Sequence, residues 1–325
     1  MIDFRYHLVS IIAIFLALAV GLLVGSTALS GKAVEALTAA QRAVKDKNVT
    51  LTQQNKQLQN QVTADQAFAS ASSKRLLTGL LTGQKVVIVT APSFDPAVVS
   101  GMRTALAQAG ATVTGEVDLS QQFLNSGGQN EASLNQLAQR LASQYGITLT
   151  GQSSNQVSGQ AAAAQVLAAS LLTGNGTSLA SSSSQGILSG LTNGGYLSVS
   201  SAGSGPVPAP ANLAVLVTPG TPAPQTGSLV LEATALALKD ASNGTVMAGS
   251  VGAIGTNSII SAENSKGQVS TVDNADTESG QIMTVQALYL HGKVGQYGIT
   301  AGAAPSPAPS PSPSPTLTPG TGARR

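Results

Sequence analysis

The hydrophobic positions at the start of the chain form one unbroken apolar stretch. Residues 8–29 carry no charge, and about 20 apolar residues are enough to span a bilayer as a helix. The pattern therefore predicts a transmembrane helix within residues 1–30. A cleaved signal peptide is the alternative, because Arg5 gives a positively charged start and Ser26, Thr27 and Ala28 provide small residues for a cleavage site.

Small residues recur every four positions on one face of this predicted helix. The ladder consists of Ala13, Ala17, Gly21 and Gly25. Such a face lets two membrane helices bring their backbones close together, which is a common route to helix pairing. We interpret the ladder as a helix-pairing face, and the alternative is that it reflects only the abundance of Ala and Gly in this chain.

A second hydrophobic pattern follows the membrane segment and has a period of seven residues. Its two seam positions are occupied by Leu37, Val44, Leu51 and Leu58, and by Val34, Gln41, Asn48, Asn55 and Val62. This register predicts a coiled-coil stalk over residues 31–75. Asparagines within a seam fix the register and favour a parallel dimer, so we expect a parallel homodimer. A single amphipathic helix folded back on its own domain is the alternative.

After the stalk the pattern changes to short apolar strands that alternate with helices. The β-branched run at residues 85–90 is typical of a strand that is buried on both faces. Asp95 and Pro96 begin a helix that Gly110 ends, and a second strand is predicted at residues 111–119. A strand, a helix and a strand in this order predict a parallel sheet with a right-handed crossover.

The rest of the body continues the alternation, with a weaker pattern between residues 120 and 194. Helices are predicted near residues 131–145, 159–172, 185–191, 227–241 and 257–262, and strands at residues 196–200, 213–218, 245–248 and 268–272. We therefore predict one α/β domain over residues 84–300, with a Rossmann-like, mostly parallel sheet of five or six strands. The weak region is expected to be a mobile helical excursion, and the Pro-rich residues 203–211 are expected to be a surface connection.

A ligand site in such a sheet is expected at the carboxyl ends of the strands, in the loops after Thr90, Thr218 and Val272. The last of these loops gathers acidic and polar side chains, namely Asp273, Asn274, Asp276, Thr277 and Glu278. Their spacing does not fit an EF-hand calcium loop, and no nucleophile accompanies them for acid–base catalysis. We interpret the run as a helix start capped by Asp276 or Thr277, and as a candidate recognition surface.

The composition of the chain narrows its chemistry. The 325 residues include 9% charged and 3% aromatic residues, no Cys, and a formal net charge of +2. Disulfides and thiolate metal sites are therefore excluded, and no basic patch favours nucleic acid. His7 and His291 are the only histidines, and the sequence contains no dinucleotide, phosphate-loop or nucleophile-elbow motif. We predict a non-catalytic protein without a cofactor or resident metal.

The chain ends in a Pro/Ser-rich stretch, residues 301–325, which is predicted to be a disordered, extended tail. More positive charges follow the membrane segment than precede it, and this bias by itself opposes a cytoplasmic N-terminus. The short N-terminal tail, the absence of cysteine and the Pro/Ser tail favour instead a single-pass cell-envelope protein with most of its chain outside the cytoplasm. An envelope protein is then the expected partner.

Three stretches of the chain together resemble one protein family. They are the opening MIDFRYHLVSIIAIFLALAVGLLVGS, the segment KRLLTGLLTGQKVVIVTAPSFDPAVVSGMRTALAQAGATVTG, and the closing VSTVDNADTESGQIMTVQAL. In these stretches the chain is similar to the actinobacterial family of mycobacterial copper transport protein B. The resemblance implies an envelope protein associated with copper efflux, described in that family as an outer-membrane channel. The resemblance brings no established catalytic or metal-binding residues to carry over to this sequence.

Two functions are compatible with these observations. The family resemblance implies a role in copper export or copper tolerance. The residues themselves favour a dimeric, membrane-tethered scaffold or binding module for an envelope partner, with no direct copper handling. Copper(I) prefers thiolate and thioether ligands, yet the chain has no Cys and its four methionines form no cluster.

Overall fold

The computed structural model describes residues 4–150, 158–174, 178–221, 225–254, 258–291, 293–300 and 302–304. The chain divides into two compact units, Met1–Asp65 and Gln66–Arg325, which are described separately. The predicted tail, residues 301–325, lies outside the described residues except for 302–304, and so does residue 257 at the predicted start of a short helix.

The first unit consists of one helix. Helix α1 spans Phe4–Leu77, and its residues beyond Asp65 belong to the second unit. Its segment Tyr6–Gly25 has a mean hydropathy of 2.9 and is not buried, so it is long and apolar enough to cross a membrane. A signal sequence near the N-terminus also meets this test of length and hydropathy.

The second unit is built on a seven-stranded sheet. Its strands are β1 Lys85–Thr90, β2 Thr112–Leu119, β3 Leu197–Ser201, β4 Leu213–Val217, β5 Gly244–Ala248, β6 Ser270–Val272 and β7 Gln296–Tyr297. They lie in the order β3-β2-β1-β4-β5-β6-β7, and every neighbouring pair is parallel except β2 and β3. The predicted α/β class and mostly parallel sheet are confirmed. The predicted strand number was too low by at least one, because β7 has only two residues and no hydrophobic pattern.

Helices connect these strands and cover the sheet. They are α2 Pro96–Gln108, α3 Gln121–Leu124, α4 Gly128–Tyr145, α5 Ser158–Leu171, α6 Ser181–Asn193, α7 Gln225–Ala241, α8 Ile259–Lys266 and α9 Glu278–Tyr289. The start of α2 follows the local rules, because the Asp95 side chain accepts a hydrogen bond from Ala97 N at 2.9 Å and Pro96 occupies the first turn. After α2 the chain turns at Gly110, whose φ of 82° favours glycine.

Each face of the sheet carries its own hydrophobic core. Successive side chains of a strand point to opposite faces, so Val86 and Ile88 enter the core formed with α2 and α9, whereas Val87 and Val89 enter the other core. All four side chains are fully buried. Burying one such side chain contributes roughly 1.5–3 kcal/mol, which explains why β1 is apolar along its whole length.

Helix α5 lies inside the second of these cores. It packs against α4, α6 and α7, and it buries alanines on several of its faces, among them Ala162, Ala163 and Ala168. Small side chains let the surrounding helices approach closely, and a helix that is apolar all round is expected in an interior. The predicted helical excursion therefore supplies much of one core, and its mobility stays a prediction.

Candidate functional site

The carboxyl edge of the sheet is the place where a ligand site is expected. Strand β1 continues into α2 on one face of the sheet, and β4 continues into α7 on the other, so the chain direction diverges between these two strands. Such a divergence normally leaves a ligand-binding crevice. Here Gly220 N donates a hydrogen bond to Ser93 O at 2.9 Å, so a backbone contact bridges the crevice.

The acidic run begins with Asp273, directly after β6. Its carboxylate is buried, and it accepts hydrogen bonds from Ile299 N at 2.8 Å, from Thr300 N at 2.9 Å and from the Thr300 hydroxyl. All of these donors belong to the segment that follows β7. Hydrogen bonds to an ionised carboxylate are stronger than those between neutral groups. Asp273 therefore fastens residues 299 and 300 to the carboxyl end of β6, next to the edge of the sheet.

Asn274 and Asp276 face different surroundings within the same turn. Asn274 is buried; its Nδ2 lies 3.5 Å from Ser279 Oγ, and its Oδ1 has no hydrogen-bond partner among the described residues. Asp276 is exposed, and its Oδ1 accepts from Val251 N at 3.1 Å. Through this bond Asp276 links the turn after β6 to the turn after β5.

Thr277 is the residue that caps helix α9. Its Oγ1 accepts a hydrogen bond from Gly280 N at 3.1 Å and donates one to Asn274 O at 2.7 Å. Glu278 follows in the first turn, where the helix dipole favours a negative charge. Of the two predicted capping residues, the structure thus uses Thr277, while the side chain of Asp276 is bonded to Val251 N.

The geometry of the run determines which chemistry it can perform. Asp273 and Asp276 accept hydrogen bonds from different segments of the chain, and both oxygens of Asp273 are already occupied by N–H and O–H donors. Among the described residues, no group of three or more His, Cys, Asp or Glu side chains is close enough to hold a metal ion. The arrangement fixes a strand-to-helix turn and presents Asp276 to solvent.

Two residues that the sequence analysis did not single out also shape this region. Glu263 in α8 is buried, and its Oε1 accepts from Gln268 N and Val269 N, both at 2.6 Å, where the chain turns into β6. Tyr297 in β7 is almost fully buried, and burial raises the pKa of its phenol above the usual value. The only sequence signal for Glu263 was a carboxylate one turn before Gly267.

The predicted pairing residues all lie on helix α1. The small-residue ladder of Ala13, Ala17, Gly21 and Gly25 is exposed along its whole length, and a Cβ placed at Gly21 or Gly25 would meet no atom within 4 Å. The stalk seam is exposed as well; Leu37 and Leu58, for example, are 62% and 59% exposed. Both faces are open in the single chain, and their pairing stays a prediction.

Comparison with known proteins gives the family. The model of a family described as "Copper transport outer membrane protein, MctB" matches residues 1–307. The chain belongs to the MctB family. Among its relatives are proteins named copper transporter MctB from Mycobacterium tuberculosis and Mycobacterium leprae, each 28% identical to it over 93% of this chain and 98% of the relative. The MctB match extends over helix α1, with its apolar segment Tyr6–Gly25, and over all seven strands of the sheet.

Proposed function

We propose that this protein acts in copper export or copper tolerance in the cell envelope, as a non-catalytic component anchored by one membrane helix. The observation that carries the proposal is the match of a copper transport family over residues 1–307. The apolar segment Tyr6–Gly25 supports the anchor. We further propose that the second unit lies outside the cytoplasm.

Copper enters this proposal as cargo. The methionines of the second unit, Met102, Met247 and Met283, are between 0% and 6% exposed and pack within the hydrophobic cores. Their thioether groups are the soft ligands that copper(I) prefers, but core packing surrounds them with hydrocarbon. This placement supports a role in which the protein assists a copper path that an oligomer or a partner protein provides.

We propose that the working form is a parallel homodimer. The seam residues are exposed on α1, although apolar side chains at seam positions normally enter a partner helix. The ladder that includes Gly21 and Gly25 offers a close approach on the membrane segment of the same helix. Two consecutive pairing faces on one helix support parallel association of two chains.

A scaffold for an envelope partner is the second candidate function. The carboxyl edge of the sheet favours this function. There the hydrogen bonds that Asp273 and Asp276 accept hold the loops in place, and Asp276 remains exposed. A fixed loop with an exposed acidic group suits recognition of another protein more than transport of an ion. In this form the protein has no direct contact with copper.

A deletion strain separates the two candidates. The copper-export proposal expects the strain to accumulate copper and to grow poorly in copper, and expects the full-length gene to restore both properties. Unchanged cellular copper, together with a defect in cell shape or in the wall, would contradict it and support the scaffold. Complementation with the Asp276→Ala variant is the matched control, because the scaffold proposal assigns this exposed group to partner recognition and the copper proposal gives it no role.

A further inference from the structure

A cavity lies at the amino edge of the sheet, opposite the edge that the fold class points to. Its volume is about 510 Å³, which is within the range of roughly 300–1,000 Å³ that is usual for small-molecule sites. One wall of the cavity is formed by Lys85 at the start of β1 and Thr112 at the start of β2. The other walls are formed by the first turn of α6 and by residues 201–210.

The ionisable side chains that line the cavity carry only positive charge. Lys85 is the only ionisable side chain among its lining residues, and no Asp or Glu lines it. The ammonium group of Lys85 has no ion pair or hydrogen bond within the described part of the chain. Hydroxyl groups accompany it, including those of Thr112, Ser181 and Ser184. A lone cation among hydroxyl donors favours an anion.

Helix α6 begins at this cavity without a side-chain cap. Ala180 precedes it, the first turn contains no acidic residue, and within the described residues no acceptor is bonded to the N–H groups of Ser181 and Ser182. The first N–H groups of a helix and the positive end of its dipole attract anions. The 13 residues of α6 are enough for a developed dipole.

Ser184 provides an independent sign that a ligand belongs here. This side chain is only 2% exposed and lines the cavity, and its Oγ has no hydrogen-bond partner among the described residues. A buried hydroxyl without a partner costs free energy, and a serine inside a helix normally bonds back to the preceding turn. Ser184 instead remains available to a group within the cavity.

The remaining wall, residues 201–210, contains several apolar side chains and is attached to strand β2. Pro208 is buried against Gly115 in β2, where a Cβ would lie 2.7 Å from the proline Cγ. Ala202 N also donates to Thr114 O at 3.1 Å, so the Pro-rich residues 203–211 are anchored at the strand. The rings of Pro206, Pro208 and Pro210 line the cavity beside the polar groups. This surface is suited to a compact organic substituent.

We propose that this cavity binds a small phosphate monoester, with its phosphoryl group at Lys85, Ser184 and the first turn of α6, and its organic substituent against the prolines. The phosphoryl oxygens would accept hydrogen bonds from the ammonium group, the hydroxyl and the free N–H groups. This site is separate from the proposed copper role, and neither depends on the other.

Isothermal titration of the full chain in detergent micelles tests the site. The probes are phenyl phosphate and inorganic phosphate, with sodium chloride at equal ionic strength as the reference. We expect saturable binding of both probes, with the higher affinity for phenyl phosphate. Lys85→Gln is expected to lower the affinity by about tenfold or more and Ser184→Ala by several-fold, as for loss of hydrogen bonds to a charged group.

Matched controls distinguish the site from general effects of charge. Lys239→Gln removes an exposed lysine of α7, and Ser189→Ala removes an exposed hydroxyl of α6, and neither residue lines the cavity. Both are expected to leave the affinity unchanged. The proposal is overturned if neither probe binds saturably, if Lys85→Gln behaves like Lys239→Gln, or if both probes bind with equal affinity.

Discussion

Asp273 illustrates how one residue can decide the meaning of an acidic motif. Three carboxylates within six residues resemble a cation site in a sequence, because spacing alone does not reveal where each side chain points. In the structure the Asp273 carboxylate accepts hydrogen bonds from residues 299 and 300, and the Asp276 carboxylate accepts one from Val251 N. The run therefore connects segments that are distant in sequence.

Replacing Asp273 should loosen the C-terminal end of the sheet domain. Asp273→Asn removes the charge and one acceptor, so we expect the free energy of unfolding to fall by about 2 kcal/mol. Urea unfolding of the full chain in micelles, followed by circular dichroism, measures this loss. Asp276→Asn is the control, with an expected change within about 0.5 kcal/mol because Asp276 is exposed. Equal losses for the two variants would contradict the anchoring role.

The cap of α9 gives a second prediction at a neighbouring position. Thr277→Ala removes the acceptor of Gly280 N, so we expect a loss of about 1 kcal/mol, whereas Thr277→Ser retains the cap and most of the stability. The same urea unfolding experiment measures both variants. A larger loss for Asp276→Ala than for Thr277→Ala would show that the cap is assigned to the wrong residue.

Tyr297 makes stability depend on alkaline pH. Because burial raises the pKa of this phenol in the folded state, the unfolded chain releases the proton first, near its ordinary pKa of about 10. Stability is therefore complete below that pH and falls as the pH rises through the folded pKa. Tyr297→Phe should reduce the loss between pH 9 and about pH 11 in thermal unfolding. Tyr289→Phe, at a more exposed position, should retain it.

At the scale of elements, the sequence was most informative where local chemistry and burial agree. Strand β1 was predicted with its observed bounds because a run buried on both faces is apolar throughout. The start of α2 was predicted because Asp95 and Pro96 act within the first turn. Both signals depend only on residues that are neighbours in the chain.

Features that depend on distant residues were not predictable in the same way. The antiparallel pairing of β3 with β2 requires knowledge of how residues 120–194 return to the sheet. Strand β7 is defined by two residues paired with β6, and its position depends on Asp273 and the segment after Tyr297. The cavity beside Lys85 likewise combines segments that are far apart in sequence.

The predicted pairing of the stalk can be tested by mutations within helix α1. Leu51 and Leu58 are exposed and occupy positions of the predicted seam, and burying two charges in each helix of a dimer would be strongly unfavourable. We therefore expect that Leu51→Asp with Leu58→Asp abolishes the chemically crosslinked dimer of the full chain in membranes. Gln53→Asp with Asn60→Asp places the same charges on the opposite helix face and should leave it intact. Unchanged crosslinking in the seam variant would contradict the paired stalk.

At the scale of the whole molecule, the open cavity lies at the amino edge of the sheet, whereas ligands of open α/β sheets usually bind at the carboxyl edge. The carboxyl edge, where ligands of open α/β sheets normally bind, is crossed by bonds such as Gly220 N to Ser93 O. The amino edge carries the cavity with Lys85 and the unpartnered Ser184 hydroxyl. The proposed ligand site and the proposed recognition surface therefore lie at opposite ends of the domain.

The copper chemistry of the whole chain can be tested directly. Because Met102, Met247 and Met283 lie within cores and the chain has no Cys, we expect the full chain in micelles to retain no stoichiometric copper(I) against a competing copper(I) chelator. Met102→Leu with Met283→Leu is the control, since it removes two thioethers at little cost in core volume. One copper ion held per chain and lost in this variant would reveal a site within the core and would require direct copper handling. The alternative result is that the purified chain holds no copper(I) while the copper content of the cells still depends on the gene. That result would place the copper path in a partner protein or between two chains.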